Sequence, residues 1–187
     1  MQDNTQELLD SIFVCNSTIP YLEQLSIYKT QNKKGGNDNF FFKPRLFLKL
    51  YKPKVIKQDL SHMTLLFEKD RNHLLYSLLK KVEEALYKNI HNKFNLPSTC
   101  KKYNILYETD TGFSLKLYLP KNNNTYCVKM FEKENNETKE IKFRFPKLNS
   151  TLDNCDIEIK NIWLKNNTFG FNLEFKSITH NFDSIFY

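Results

Sequence analysis

Apolar and polar positions alternate most clearly over residues 40–51, which read Phe-Phe-Phe-Lys-Pro-Arg-Leu-Phe-Leu-Lys-Leu-Tyr. Successive side chains of a strand point to opposite faces, so this pattern predicts one strand with two unlike faces. One face carries an apolar core set: Phe42, Leu46, Leu48 and Leu50. The other face interleaves cations with rings: Lys43, Arg45, Phe47, Lys49 and Tyr51. Because large rings are unfavourable in water, we expect this second face to contact a ligand or another layer of protein.

A long amphipathic helix is predicted over residues 70–93. Apolar residues recur there at intervals of three and four and form one stripe: Leu75, Leu78, Leu79, Val82, Leu86 and Ile90. This spacing matches the period of an α-helix. Asp70 is a suitable N-cap, and Pro97 prevents the helix from continuing.

Most of the remaining chain has the pattern of strands. Before the helix, residues 19–28 and 63–67 are predicted strands in addition to 40–51. After it, alternating segments separated by turn residues predict three hairpins, at 103–119, 125–145 and 156–178. This order of elements predicts a mainly β (α+β) fold.

The position of the helix narrows the fold further. Counting 19–28, 40–51 and 63–67 as the first three strands places the helix between strands three and four, as in small oligonucleotide-binding (OB) barrels. We therefore expect an OB-fold-like Greek-key barrel with extra hairpins, and a β-sandwich with an inserted helix is the alternative. No linker divides the chain, so one domain is expected over residues 1–187, with 179–187 as a candidate tail.

The face of cations and rings recurs on later strands, as Lys116 with Tyr118 and Lys129 with Phe131. Cations neutralise phosphates and flat rings stack on bases, which is what binding of single-stranded nucleic acid requires. Further candidate contacts are the pair Lys142 and Arg144, and the pair Lys33 and Lys34 in a glycine-containing basic loop. The competing interpretation is a sheet covered on both faces by a helix or a partner chain.

Composition agrees with an anionic partner. The net charge is +7, and the chain holds 16 Phe, 10 Tyr and 1 Trp, more rings than a core of this size needs. The four cysteines lack metal-site spacing, and no apolar run is long enough to cross a membrane. These features and the polar N-terminus predict an intracellular protein of the host cytoplasm or nucleus, neither secreted nor bound to a membrane.

Signals of catalysis are poor. With only four glycines, the chain has no phosphate-binding loop, and no serine stands in a nucleophile elbow. We therefore expect no enzymatic activity and no cofactor. Asp156 and Glu158 keep a metal-dependent nuclease open as a lesser hypothesis.

The segment 155–178 contains an alternating strand ending in Ile162-Trp163, a short polar turn, and Gly170 opening a second alternating strand. This hairpin resembles the closing hairpin of the OB-fold single-stranded-DNA-binding proteins of large DNA viruses and related linear episomes. The resemblance implies an OB fold and cooperative coverage of single strands during replication. Trp163 is favoured as a core residue over a stacking ring.

The last residues of the chain are aromatic. In several replication-type single-strand binders an aromatic-capped acidic tail recruits other replication proteins, but here Asp183 is the only nearby acid. The candidate residues for binding a partner or a second protomer are Phe182, Ile185, Phe186 and Tyr187.

These observations favour sequence-nonspecific binding of single-stranded DNA during viral or episomal replication, with RNA left open because contacts to the 2′-hydroxyl cannot be predicted from composition. The alternative is a viral or episomal β-fold interaction module whose aromatic face binds a protein.

Overall fold

The computed structural model describes residues 26–31, 38–43, 45–104, 106–134 and 137–181. Within these ranges the chain forms fourteen strands and one helix, so the predicted mostly β character is confirmed for the part of the chain that the structure describes. The strands before the helix are β1 (Ser26–Gln31), β2 (Asp38–Lys43), β3 (Leu46–Tyr51), β4 (Lys54–Gln58) and β5 (His62–Glu68). The helix is α1 (Lys69–Phe94).

The strands after the helix are β6 (Lys101–Lys102), β7 (Leu106–Thr109), β8 (Gly112–Tyr118), β9 (Lys121–Asn122), β10 (Thr125–Tyr126), β11 (Lys129–Glu134), β12 (Glu137–Ile141), β13 (Asn154–Lys165) and β14 (Thr168–Asn181). Residues 179–181 of the candidate tail therefore lie in β14, and residues 182–187 lie outside the described ranges. In the part of the chain that the structure describes, no helix is long and apolar enough to cross a membrane.

One large sheet is built around the β13–β14 hairpin. Its main path runs β1-β2-β13-β14-β8-β5-β4, with β3 on β13, β11 and β6 on β14, β7 on β8 and β12 on β11. Among the described strands, the path does not return from β4 to β1. The closed barrel that we expected is therefore not confirmed.

Residues 40–51 form two strands, not the single predicted one. β2 ends at Lys43 and β3 begins at Leu46, and both pair with β13, β2 near its end and β3 near its start. Pro44 lies between them; a proline has no N–H to donate to the sheet ladder. Because β13 is twelve residues long, two short consecutive strands fit along one edge of it.

The predicted position of the helix in the strand order is also wrong, because α1 follows the fifth strand and not the third. The split of residues 40–51 adds one strand, and β4 adds another that the prediction did not include. Of the predicted strand 19–28, residues 26–28 belong to β1, and residues 19–25 lie outside the described ranges.

The helix itself is confirmed, with its whole predicted apolar stripe buried. It begins at Lys69 with Glu68 in the N-cap position, so Asp70 is not the cap, because β5 runs directly into the helix. At the other end Asn95 adopts the left-handed conformation, with φ 48°, and the Leu96 N–H donates to the carbonyl of His91. Asparagine tolerates this conformation, which ends the helix before Pro97.

The core lies between α1 and one face of the sheet. The helix contacts β5 and β8, whose inward residues Met63, Leu65, Leu115 and Leu117 are fully buried. The ring of Phe67 stacks on that of Phe113, with centroids 5.1 Å apart. We call the opposite sheet face the outer face.

Two β-bulges interrupt the central hairpin. One leaves Lys160 as an extra residue of β13, and the other leaves Lys176 as an extra residue of β14. A bulge reverses the alternation of side chains beyond it. On β13 the core residues are odd-numbered up to Ile159 and even-numbered from Ile162. Both strands therefore keep their apolar residues in the core over their full length.

Candidate nucleic-acid interface

Strand β3 has the two unlike faces described above. Leu46, Leu48 and Leu50 are buried, whereas Phe47 is 50% exposed and Lys49 is exposed. Tyr51 is half-buried, and the Lys49 ammonium lies 5.9 Å from the centre of its ring. Rings and cations therefore share the outer face along this strand.

The sheet register brings the three predicted strand segments onto the same outer face. One row across the sheet reads Tyr51, Asn154, Thr179 and Phe131. A second row reads Lys49, Asp156, Ser177 and Lys129. A third row reads Phe47, Glu158, Glu174, Tyr118 and His62. Phe47 and Tyr118 lie three strand spacings apart, roughly 14 Å, on either side of two glutamates.

Those glutamates make the centre of the outer face an ion-pair network. Glu158 and Glu174 face each other across the hairpin and are each only 4% exposed. Lys176 contacts both carboxylates, Lys160 binds Glu174, and Arg45 Nε lies 3.6 Å from Glu158. Both bulge lysines thus serve to neutralise buried carboxylates. The three cations and two carboxylates of this network leave a net charge of +1. The centre of the outer face is therefore less positive than the sequence pattern predicts.

The partners of Lys176 favour its charged form. Burial by itself lowers the pKa of this lysine, but the hydrogen bonds and negative charges of Glu158 and Glu174 outweigh burial and raise its pKa above the ordinary value. An ammonium held between two buried carboxylates also limits their mutual repulsion.

Beside the network lies a groove of about 210 Å³ that sequence reasoning missed. Five of its lining residues carry large rings: Tyr103, Tyr107, Tyr118, Trp163 and Phe171. Lys116, His62, Asn104 and Asn172 supply polar groups to it. We call this site the aromatic groove. Its residues come from five separate segments of the chain, so no local pattern predicts it.

Trp163 is not a core residue, contrary to the interpretation favoured from the sequence. It is partly exposed and lies opposite Gly170, where an added Cβ would stand 2.5 Å from the indole Cζ2 atom. The bulge at Lys160 turns Trp163 outward, and the missing side chain of Gly170 makes room for the indole. The ring of Tyr103 lies 5.9 Å from it, centre to centre.

Two tyrosines form one wall of the groove. The rings of Tyr103 and Tyr107 meet edge to face, with centroids 6.3 Å apart. Burial and the hydrogen bond to Tyr103 raise the pKa of Tyr107 to about 12. The Tyr107 phenol is therefore uncharged at neutral pH and does not repel an anionic strand.

The outer face continues beyond the groove onto β1 and β2. Tyr28, 43% exposed, stacks on Phe41 with ring centres 5.6 Å apart. Between this pair and the groove, Asn161 donates a hydrogen bond to Asn39 and accepts one from Asn172, each 2.9 Å long. Exposed rings are thus distributed across the sheet from β1 to β8.

The other residues predicted to contact nucleic acid or a partner differ in their exposure and pairing, and some are not described. Lys142 is exposed, whereas Arg144 is held by Glu132 at 2.8 Å. Lys33, Lys34, the side chain of Lys43, and the candidate partner residues Phe182, Ile185, Phe186 and Tyr187 lie outside the described residues.

The two acidic residues considered for a metal-dependent nuclease already have partners within the protein. Asp156 accepts a hydrogen bond from Ser177, and Glu158 is paired with Lys176. Among the residues that the structure describes, no three potential metal ligands cluster together. Nothing in this arrangement favours metal-dependent cleavage.

The fold is similar to that of the single-stranded DNA-binding protein from bacteriophage Enc34. One structure of that protein matches with a TM-score of 0.50 and 9% identity, covering 83% of this chain and 89% of that one. A C-terminal truncation of it gives 0.50 and 11% identity over 86% and 98% of the two chains. Its complex with single-stranded DNA gives 0.49 and 10% identity over 83% and 94%.

At these identities the likeness shows a shared fold and nothing about individual residues. No protein-family profile matches the sequence, and comparison with curated proteins found no match.

The ion-pair network generates a stability prediction. Replacing Lys176 with methionine leaves two buried carboxylates facing each other with less compensation, so we expect a loss of about 1–3 kcal/mol in the free energy of unfolding near neutral pH.

Urea unfolding near neutral pH measures this loss. Lys165→Met, at the exposed end of β13, is the matched control and should leave stability nearly unchanged. A Lys176→Met variant as stable as Lys165→Met would contradict the role of the network.

Proposed function

We propose that this protein binds single-stranded DNA on the outer face of its sheet, largely without sequence preference. Its exposed rings stack on bases and its lysines and arginines contact phosphates. The observation that carries this proposal is the register, because it gathers the cation and ring residues of β3, β8 and β11 on one face beside the aromatic groove.

The exposed rings support the proposal that a ligand covers the outer face. Phe47 and Tyr103 are each 50% exposed, and Tyr107 and Tyr118 are each 39% exposed. Each stacked base contributes roughly 1–3 kcal/mol, and stacking is tolerant of sequence because every base has a flat face. Several such rings on one face provide affinity without base-specific hydrogen bonds.

Charge supports a nucleic-acid partner over a protein partner. The chain carries +7, and Lys49, Lys116 and Lys129 on the outer face are exposed. A protein-interaction module would also use exposed rings, but interface cores are depleted of charged residues. The shared fold with a phage protein that binds single-stranded DNA points in the same direction.

We infer a role in the replication of a virus or linear episome, in which the protein coats exposed strands. The same proposal includes an OB type of fold and a single domain. It also includes association with replication proteins and self-association on the bound DNA. The bound DNA would run along the candidate contacts on β2, β3, β8, β11 and the segment after β12. Lys33 and Lys34 would close over this DNA.

The single tryptophan of the chain provides a direct test. Because Trp163 lines the aromatic groove, a base that stacks there should quench its fluorescence when oligo-dT is titrated in. Fluorescence anisotropy of a labelled oligonucleotide, measured in parallel, reports binding anywhere on the protein. Binding by anisotropy without any change at Trp163 would place the strand elsewhere.

Phe47→Ala tests the stacking surface on β3. We expect it to weaken oligo-dT binding by about fivefold or more, because one stacked base is lost. The ring is half exposed, so the melting temperature should stay close to that of the wild type. Leu148→Ala, with similar exposure in the turn between β12 and β13, is the control for both measurements. A large drop in melting temperature would mean that Phe47 is a packing residue.

Lys116→Ala tests phosphate contact at the groove. Each phosphate neutralised on a single strand contributes about −0.7 to the slope of log affinity against log salt concentration. We expect the slope for Lys116→Ala to be shallower by about 0.7. Lys88→Ala, on the exposed side of α1, should leave the slope unchanged. Equal slopes for wild type and Lys116→Ala would exclude a phosphate contact at this lysine.

A further inference from the structure

A chain of three asparagine side chains crosses the outer face and ends at the aromatic groove. Asn161, only 5% exposed, donates from Nδ2 to Asn39 Oδ1 and accepts at Oδ1 from Asn172 Nδ2, both at 2.9 Å. Asn39, Asn161 and Asn172 belong to β2, β13 and β14. In this chain Asn172 turns its Nδ2 nitrogen toward Asn161.

One edge of the Asn172 amide is available to a ligand. Its Oδ1 and its second Nδ2 hydrogen have no partner among the residues that the structure describes. Asn172 is exposed and lines the aromatic groove together with Trp163 and Lys116. An acceptor and a donor thus lie side by side on a fixed side chain, next to rings that can hold a base.

We propose that the aromatic groove is a base-selective subsite for adenine, in which Asn172 determines the preference. A fixed carboxamide matches adenine in two hydrogen bonds, accepting from the N6 amino group and donating to N7. Guanine would set its O6 acceptor against Asn172 Oδ1, and pyrimidines have no N7. This inference rests on the proposed function and adds a preference at one nucleotide of the bound strand.

The size and walls of the groove suit a single base. Its volume of about 210 Å³ is below the range of about 300–1,000 Å³ that drug-sized ligands need. Trp163 lies over Gly170, and the ring of Tyr103 is 5.9 Å from it. Purines offer more stacking area than pyrimidines, so the rings and the amide favour the same class of base. By contrast, Phe47, Lys49 and Tyr51 on β3 offer no carboxamide to a base.

The test compares oligo-dT with the same oligomer carrying one dA, dG, dC or 7-deaza-dA in its centre. Wild-type protein should bind the dA oligomer about fivefold or more tightly than oligo-dT. Replacing N7 by carbon keeps the stacking area, so 7-deaza-dA should lose most of this gain. Anisotropy competition measures the affinities, and Trp163 fluorescence reports occupancy of the groove.

Asn172→Ala should abolish the preference for dA while retaining binding to oligo-dT. Asn122→Ala, an exposed position on β9, is the matched control and should keep the preference. If Asn172→Ala unfolds because Asn161 loses a partner, the 7-deaza comparison on the wild-type protein decides by itself.

Three results would overturn the proposal: equal affinity for dA and dT oligomers, a dG preference, or a dA preference that survives 7-deaza substitution. Absence of any binding to oligo-dT would instead overturn the proposed function, so the two failures are distinguishable.

Discussion

The two bulges in the β13–β14 hairpin determine which side chains reach the outer face. Each inserts a lysine, and each reverses the alternation of the strand beyond it. Without them, a strand of twelve or fourteen residues would turn its apolar residues out of the core partway along its length. With them, Trp163 and Asn172 face outward at one end of the hairpin, and Asp156 and Ser177 do so at the other.

The same bulges explain how acidic residues are accommodated in the middle of a surface suited to an anion. Glu158 and Glu174 are almost fully buried, and an isolated pair of buried carboxylates would be unfavourable. Lys160 and Lys176 reach them because each is the extra residue of a bulge. The network stabilises the irregular hairpin, and its cations are largely committed to the glutamates.

Affinity and selectivity are therefore expected to come from different parts of the outer face. Exposed rings and exposed lysines along β3, β8 and β11 suit any single strand, because stacking and phosphate contacts carry no base information. The aromatic groove differs in holding a carboxamide whose orientation is set by a neighbouring amide. Under the two proposals above, such a surface would bind most sequences and would distinguish a base at one position.

Local patterns in the sequence were sufficient for the helix, for the mostly β character and for the two faces of β3, because the period of hydrophobic residues depends only on local geometry. They failed where the structure departs from an uninterrupted period: at the break between Lys43 and Leu46, at the bulges of β13 and β14, and at Trp163, which the bulge turns outward. The aromatic groove and the asparagine chain join residues from distant segments. Only the pairing of strands in the folded sheet brings those residues together, since their contacts arise from register and not from sequence spacing.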